Sequence, residues 1–268
     1  MQLKTAFIGS GNLAWHLSRV LEAADYPVAE VYSRRPERAQ QLAGHLYDAR
    51  VRTELNFSDS PARFFFLTVS DDAIPAVASA LVVPPGSTVV HTSGSQSLAT
   101  LRRALRSEVV RAGVLYPLQT FSRNQAVDFS RVPLCLEGQD SETEATLMTV
   151  ARRLSHRVEV MNSERRRVLH LAAVVAGNFT NHLLTLAKQV LDEENLKLDL
   201  LRPLMEETVR KAFRADDPAG VQTGPARRGD VEIIGQHLDY LENRPDLRAV
   251  YRLLTESIRN TSSGATDD

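Results

Sequence analysis

Apolar residues divide the chain into two regimes. Through residue 162, short apolar runs alternate with amphipathic stretches; from Glu164 onward, apolar positions recur only at helical spacing. In the first regime, residues 4–8, 28–32, 63–69, 88–91, 109–114, 133–136 and 158–161 read as strands. The run Phe64-Phe65-Phe66-Leu67 is apolar without alternation, as a central parallel strand buried on both faces requires. Helices are predicted between the strands: one through Leu13, Leu17, Val20 and Leu21, one over 36–46 opened by Pro36, one through Ile74, Val77 and Leu81, and others over 97–105 and 141–154. Strands alternating with helices imply an α/β domain, a Rossmann-type doubly wound and mostly parallel sheet. In the second regime, 164–193, 199–213, 230–242 and 245–259 read as helices and no strand is predicted. The organisation expected is an α/β domain over 1–162, an all-helical domain over 163–260 and a small, polar, disordered tail over 261–268.

The joint between the first strand and first helix carries the sharpest chemistry. Gly9-Ser10-Gly11-Asn12-Leu13-Ala14 is a Gly-x-Gly-x-x-Ala turn lying between strand and helix. That order is the dinucleotide-binding fingerprint: Gly9 permits the tight turn, Gly11 lets a diphosphate approach the backbone, and Ala14 lets the helix pack close to the strand. Phosphates then meet free N–H groups and the positive end of the helix dipole. The tip of the second strand, where such domains read the adenosine ribose, is Ser33-Arg34-Arg35 with Arg38 one turn on and no carboxylate. Arginine there accommodates a 2′-phosphate, so NADP is expected over NAD.

Composition narrows the classes. The chain has 268 residues, 43% hydrophobic and 24% charged, with a net charge of −1. That balance gives no global electrostatic case for nucleic acid or an anionic membrane. No apolar run reaches the ~20 residues needed to span a bilayer, and the first apolar stretch reads as a strand rather than a signal segment, so a cytoplasmic location is the default. The single Cys135, in an apolar strand, excludes an internal disulfide and reads as a small buried hydrophobe. Histidines and carboxylates are too scattered for metal-ligand spacing. The triplet Arg165-Arg166-Arg167 reads as solvating the start of a helix.

In open α/β sheets ligands lie beyond the carboxyl ends of the strands, which makes the polar strand tips the candidates. Expected cofactor contacts are Gly9, Ser10, Gly11, Asn12, Leu13, Ser33, Arg34, Arg35, Val69, Ser70, His91, Thr92 and Ser93. Ser93, Gly94 and Ser95 would hold an amide or a substrate carboxylate, unless the motif is only a Ser/Thr turn leading into the next helix. Tyr116 to Ser122 breaks strand periodicity with Pro117; it either walls the pocket or is an edge strand and turn. On the long helix, His170 and Asn181 fall on nearly one face at about 100° per residue, with Asn178 near them. His170 is the candidate general acid or base, and Asn178 and Asn181 the candidate substrate-orienting groups. In the loop 222–230, Arg228 could clamp an anionic substrate and Asp230 reads as a helix cap.

These motifs, in this order, resemble the superfamily of 6-phosphogluconate dehydrogenase, the β-hydroxyacid dehydrogenases, ketopantoate reductase and pyrroline-5-carboxylate reductase. More closely, the segments 9–17, 91–95, 113–122, 170–183 and 222–230 resemble a bacterial family that joins a Rossmann-like NADP-binding oxidoreductase domain to a C-terminal helical domain of unknown function. The resemblance implies hydride transfer and a homodimer built from the helical domains. One departure matters. The β-hydroxyacid dehydrogenases place a lysine, and an asparagine one turn later, on the first long helix of the second domain. Here no lysine lies between Lys4 and Lys188; His170 occupies that region, and Val174 follows it by a turn. The lysine mechanism does not carry over.

Two functions are therefore in view. The first is an NADP(H)-dependent oxidoreductase acting on a small carbonyl, hydroxy or imine substrate held between the domains. The second is a non-catalytic NADP(H)-binding sensor or scaffold, which the missing lysine favours.

Overall fold

The computed structural model describes residues 3–263. The chain divides into two compact units, Met1–Ala176 and Gly177–Asp268. In the first, the elements run β1 (Thr5–Ile8), α1 (Asn12–Ala23), β2 (Val28–Tyr32), α2 (Pro36–Ala43), β3 (Arg50–Arg52), β4 (Phe64–Leu67), α3 (Ile74–Ala80), β5 (Thr88–His91), α4 (Leu98–Ala104), β6 (Arg111–Pro117), β7 (Leu134–Gly138), α5 (Ser141–Leu154), β8 (Val158–Val160) and α6 (Ser163–Ala173). Among the described residues the strands form one eight-stranded sheet in the order β3-β2-β1-β4-β5-β6-β7-β8. Every pairing is parallel except β6 with β7. The short β3 was not expected from sequence: its Arg50-Val51-Arg52 has one apolar residue and is partly exposed at the sheet edge.

Successive residues of a strand point to opposite faces, and the core follows that rule. Phe7, Phe64, Phe66 and Val90 pack on one side with α1, α2 and α5, whereas Ala6, Ile8, Phe65, Leu67 and Val89 pack on the other with α3 and α4. The chain runs outward from β1 to β3, then returns to pair β4 on the other side of β1. That reversal opens a crevice beyond β1 and β4, where doubly wound sheets bind ligands.

The change of sequence regime at residue 162 marks where the helices begin, but the compact unit extends to Ala176. The reason is α6, which is tied to the sheet by Arg166. This side chain is fully buried: Nη1 pairs with Glu137 Oε2 at 2.5 Å, and Nη2 donates to the Gln96 carbonyl at 2.6 Å. Arg166 is thus not part of a solvated basic triplet; a buried guanidinium has to be paired, and this one is.

After α6 the chain winds into a π-helical stretch, Val174–Phe179, before α7 (Thr180–Glu193). The long helical stretch expected over 164–193 is present, but it is not one regular α-helix. The wider π turn also rotates later residues away from where 100° arithmetic puts them, so the shared face inferred for His170 and Asn181 does not follow. The second unit continues with α8 (Arg202–Arg214), α9 (Pro225–Arg228), α10 (Val231–Tyr240) and α11 (Pro245–Ser263). Helix α11 runs three residues into the stretch expected as tail; residues 264–268 of that stretch lie outside the described residues. Many apolar side chains of this unit are exposed, among them Leu200, Leu204, Phe213, Val231 and Leu253. None of the helices among the described residues is long and apolar enough to cross a membrane.

Candidate functional site

The crevice beyond β1 and β4 is a cavity of about 770 Å³. Its floor is the turn Gly9-Ser10-Gly11, its one wall Ser33, Arg34, Arg35 and Arg38, and its other Val69 and Ser70. The turn is held from both sides. Ser10 Oγ donates to Ser33 Oγ at 2.9 Å, and Thr68 Oγ1 donates to the Gly9 carbonyl at 3.2 Å. Gly9 sits at φ +116°, and a Cβ there would lie 2.4 Å from the Thr68 carbonyl oxygen. At Gly11 the nearest such atom is 3.9 Å away, so there the missing side chain leaves open space instead.

Helix α1 differs from α4, α5 and α6 at its N-terminus. Those three are capped by Ser97, Asp140 and Asn162, each accepting from a backbone N–H. Helix α1 starts after Gly11 with no side-chain cap and no acidic residue in its first turn. Its leading N–H groups are left for an external acceptor, and an anion is what the helix dipole favours. Open space at Gly11, uncapped N–H groups and arginines at the β2 tip fit the diphosphate and 2′-phosphate of NADP. Glu30, inside β2, is spent on Arg52 and Ser60.

The other expected cofactor residues are placed differently. The Asn12 amide donates to the Phe121 carbonyl at 2.8 Å, so it fastens a loop. His91 is fully buried, and its Nδ1 accepts from the Ser93 N–H at 3.2 Å. Thr92 is buried and donates to the Leu67 carbonyl. Ser93 Oγ accepts from the N–H groups of Ser95 and Gln96, and Ser95 Oγ donates to Asp71 Oδ2 at 2.5 Å. The hydroxyl cluster therefore shapes a tight turn at the tip of β5.

Burial, reinforced by the Arg166 charge, lowers the pKa of His91 to about 3. Unfolded histidine titrates near 6.5. Stability should accordingly be complete above about pH 6.5, fall as the unfolded chain alone takes up the proton, and stop falling near pH 3, at up to roughly 1.4 kcal/mol per pH unit between. Urea unfolding at pH 7, 5.5 and 4.5 checks this: the slope for His91→Gln should be shallower than for the unaltered chain, and equal slopes would refute the assignment.

Gly94, within this turn, faces a pair of aromatic groups. A Cβ on it would lie 2.7 Å from His170 Nδ1 and 2.8 Å from Tyr116 Cζ. The glycine lets both rings rest on the backbone. Tyr116 Oη and His170 Nδ1 are 3.1 Å apart, with the rings edge to face. Tyr116 stands near the end of β6, opposite Cys135 on β7; His170 stands one turn after the anchored Arg166. Burial chiefly, with nearby Cys135 and Asp71, pushes the Tyr116 phenol up to about 12. Tyr116 thus remains a protonated donor through the neutral range, hydrogen-bonded to a group that can itself carry a proton.

Sequence reasoning singled out His170 but left Tyr116 between pocket wall and edge strand. Fifty-four positions separate the two, and only the sheet order brings them together. Asn178 and Asn181 are exposed in the second unit. Arg228, also there, turns both Nε and Nη2 onto Asp230 Oδ2, at 2.9 and 2.7 Å. Asp230 therefore pairs with Arg228 and makes no side-chain cap for α10.

Comparison with known proteins bears on the family, the fold and the cofactor. Residues 4–94 match the family model described as NADP oxidoreductase, coenzyme F420-dependent, and residues 132–258 match a domain of unknown function, DUF2520. A Bacteroides fragilis protein of known structure, named as a proposed NADP oxidoreductase, is 36% identical; the alignment covers 97% of this chain and 98% of that one, with a TM-score of 0.88. The fold is shared with a 1-pyrroline-5-carboxylate reductase from Streptococcus pyogenes (14% identity, 97% and 98% covered, TM-score 0.64). It is shared too with a reductive aminase from Aspergillus terreus in complex with NADPH and ethyl-5-oxohexanoate (14%, 89% and 78%, TM-score 0.61). No curated protein matches the sequence.

Proposed function

From a chain that belongs to the NADP oxidoreductase family joining an F420-dependent-type nucleotide domain to a DUF2520 domain, we propose an enzyme that moves a hydride between NADP(H) and a small carbonyl, hydroxy or imine substrate. The observation that carries this reading is the Tyr116–His170 pair seated on Gly94 at the carboxyl end of the sheet. When bound, the nicotinamide supplies or takes the hydride. A carbonyl oxygen or imine nitrogen that gains a hydride must also gain a proton. Tyr116 Oη donates it, and His170 replaces it from solvent; in the oxidative direction the same groups remove it. An alkoxide is more basic than a phenolate, so the raised pKa of Tyr116 does not prevent donation. A sensor or scaffold that only held the dinucleotide would have no use for such a pair.

Ser33, Arg34, Arg35 and Arg38 make the adenosine end selective for the 2′-phosphate. Parallel calorimetric titrations should show NADPH binding at least tenfold tighter than NADH, with Arg34→Met narrowing the gap by weakening NADPH alone. Equal binding would refute the selectivity. A screen of carbonyl and imine compounds, followed by NADPH oxidation, then identifies the substrate; NADPH binding with no turnover across the screen would favour the sensor. The exposed apolar side chains of the helical unit support a homodimer through that unit. Analytical ultracentrifugation giving only a 29.7 kDa species would remove that assignment.

A further inference from the structure

We propose that Arg123 is a ligand of the dinucleotide diphosphate, delivered to the glycine turn by a strap that follows β6. The inference rests on the NADP reading of the cavity and adds to it a residue far from the fingerprint in sequence.

The strap leaves the sheet at β6, the third strand from β1, and crosses onto the opening of α1. Three contacts hold it there. The Asn12 amide donates to the Phe121 carbonyl at 2.8 Å, His16 Nε2 lies 3.0 Å from the Ser122 carbonyl, and the Phe121 ring stacks on Phe129. Two of these fasteners thus come from the first turns of the helix whose N-terminus would receive the diphosphate. The next residue, Arg123, reaches back to the turn itself: its Nη2 donates to the Ser10 carbonyl at 2.6 Å. Its guanidinium lies 5.1 Å over the Trp15 ring, which fixes its plane.

The charge of Arg123 is unanswered. Its contacts are the Ser10 carbonyl, the Gln41 amide oxygen at 3.5 Å and an indole face; no carboxylate among the described residues pairs with it. Arg166 shows the contrast, a buried guanidinium neutralised by Glu137. A partly exposed guanidinium held by a neutral carbonyl, with donors to spare, is suited to an oxyanion arriving at the same turn. Ser10 lines the cavity together with Gly11, so that oxyanion is the diphosphate, whereas the 2′-phosphate belongs to Arg34 and Arg35.

The test is calorimetric titration of the full chain with NADPH and with NADH, for the unaltered protein, Arg123→Met and Arg123→Lys. Both dinucleotides carry the diphosphate and only one the 2′-phosphate. Arg123→Met should weaken both by a similar factor, ten- to a hundredfold, while Arg123→Lys keeps most of the affinity and both variants melt within a few degrees of the unaltered chain. Loss of NADPH affinity alone would move the residue to the 2′-phosphate and overturn the proposal. Unchanged affinities would overturn it as well, as would a lysine variant no better than the methionine one, since the loss would then come from a displaced strap. If the unaltered chain binds neither dinucleotide, the cofactor reading falls and this proposal with it; intact binding by Arg123→Met removes this proposal alone.

Discussion

Tyr116→Phe should lower turnover by about 10²- to 10⁴-fold, the range a positioned proton donor contributes, while leaving NADPH affinity within a factor of about three. The substitution removes one oxygen. The ring would still rest on Gly94, because the atom that a Gly94 Cβ would meet at 2.8 Å is Cζ, which phenylalanine keeps. Folding is therefore preserved and the loss is chemical. His170→Ala should cost a similar factor by removing the group 3.1 Å from Oη that restores the proton. The double variant should be little worse than either single one, since groups that act as a unit fail as a unit. Steady-state kinetics on the substrate that the screen yields, alongside NADPH titration, decides the matter. Full turnover by Tyr116→Phe would remove the pair from the mechanism, and multiplicative losses would show two independent roles.

Gly9→Ala should cost on the order of 3–5 kcal/mol and abolish measurable NADPH binding. Two effects add. A non-glycine residue at φ +116° is strained by roughly 1–3 kcal/mol. The new methyl would also lie 2.4 Å from the Thr68 carbonyl oxygen and 2.6 Å from its carbon, atoms of the backbone following β4 that cannot swing aside as a side chain can. Relief requires β1 and β4 to separate at the point where the cavity forms. Thermal unfolding should fall by on the order of 10 °C. Gly11→Ala gives the contrast. Its Cβ would meet nothing closer than 3.9 Å, so the chain should melt as before yet bind NADPH poorly, with a methyl in the space left for the diphosphate. A Gly9→Ala protein melting within about 2 °C of the unaltered chain would refute the first argument. Tight NADPH binding by Gly11→Ala would refute the second.

What the sequence by itself determined is whatever depends on neighbours along the chain. The strand, glycine turn and helix over residues 5–23, the basic tip at Ser33–Arg35 and the fully apolar β4 were legible because their physical reasons are local: backbone freedom, dipole, charge and periodicity. So was the shift to an all-helical second half. Tertiary structure decided the rest, because it depends on which distant segments meet. The antiparallel β6–β7 pairing puts Tyr116 opposite Cys135, and the anchoring of α6 by Arg166 sets His170 beside it; neither event leaves a periodic trace. His91 and Thr92 looked like polar groups at a strand tip, but the turn folds them inward, where His91 Nδ1 accepts from the Ser93 N–H and Thr92 donates to the Leu67 carbonyl. The π-helical stretch widened one turn and undid the angular arithmetic that grouped His170 with Asn181. Arg228 found a carboxylate two residues away, and Arg123 reached a carbonyl 113 residues away. The physical reason is the same throughout: local rules fix what a segment becomes, whereas the partner that answers a buried ring or a charge is fixed only when the sheet order brings remote segments to the same edge.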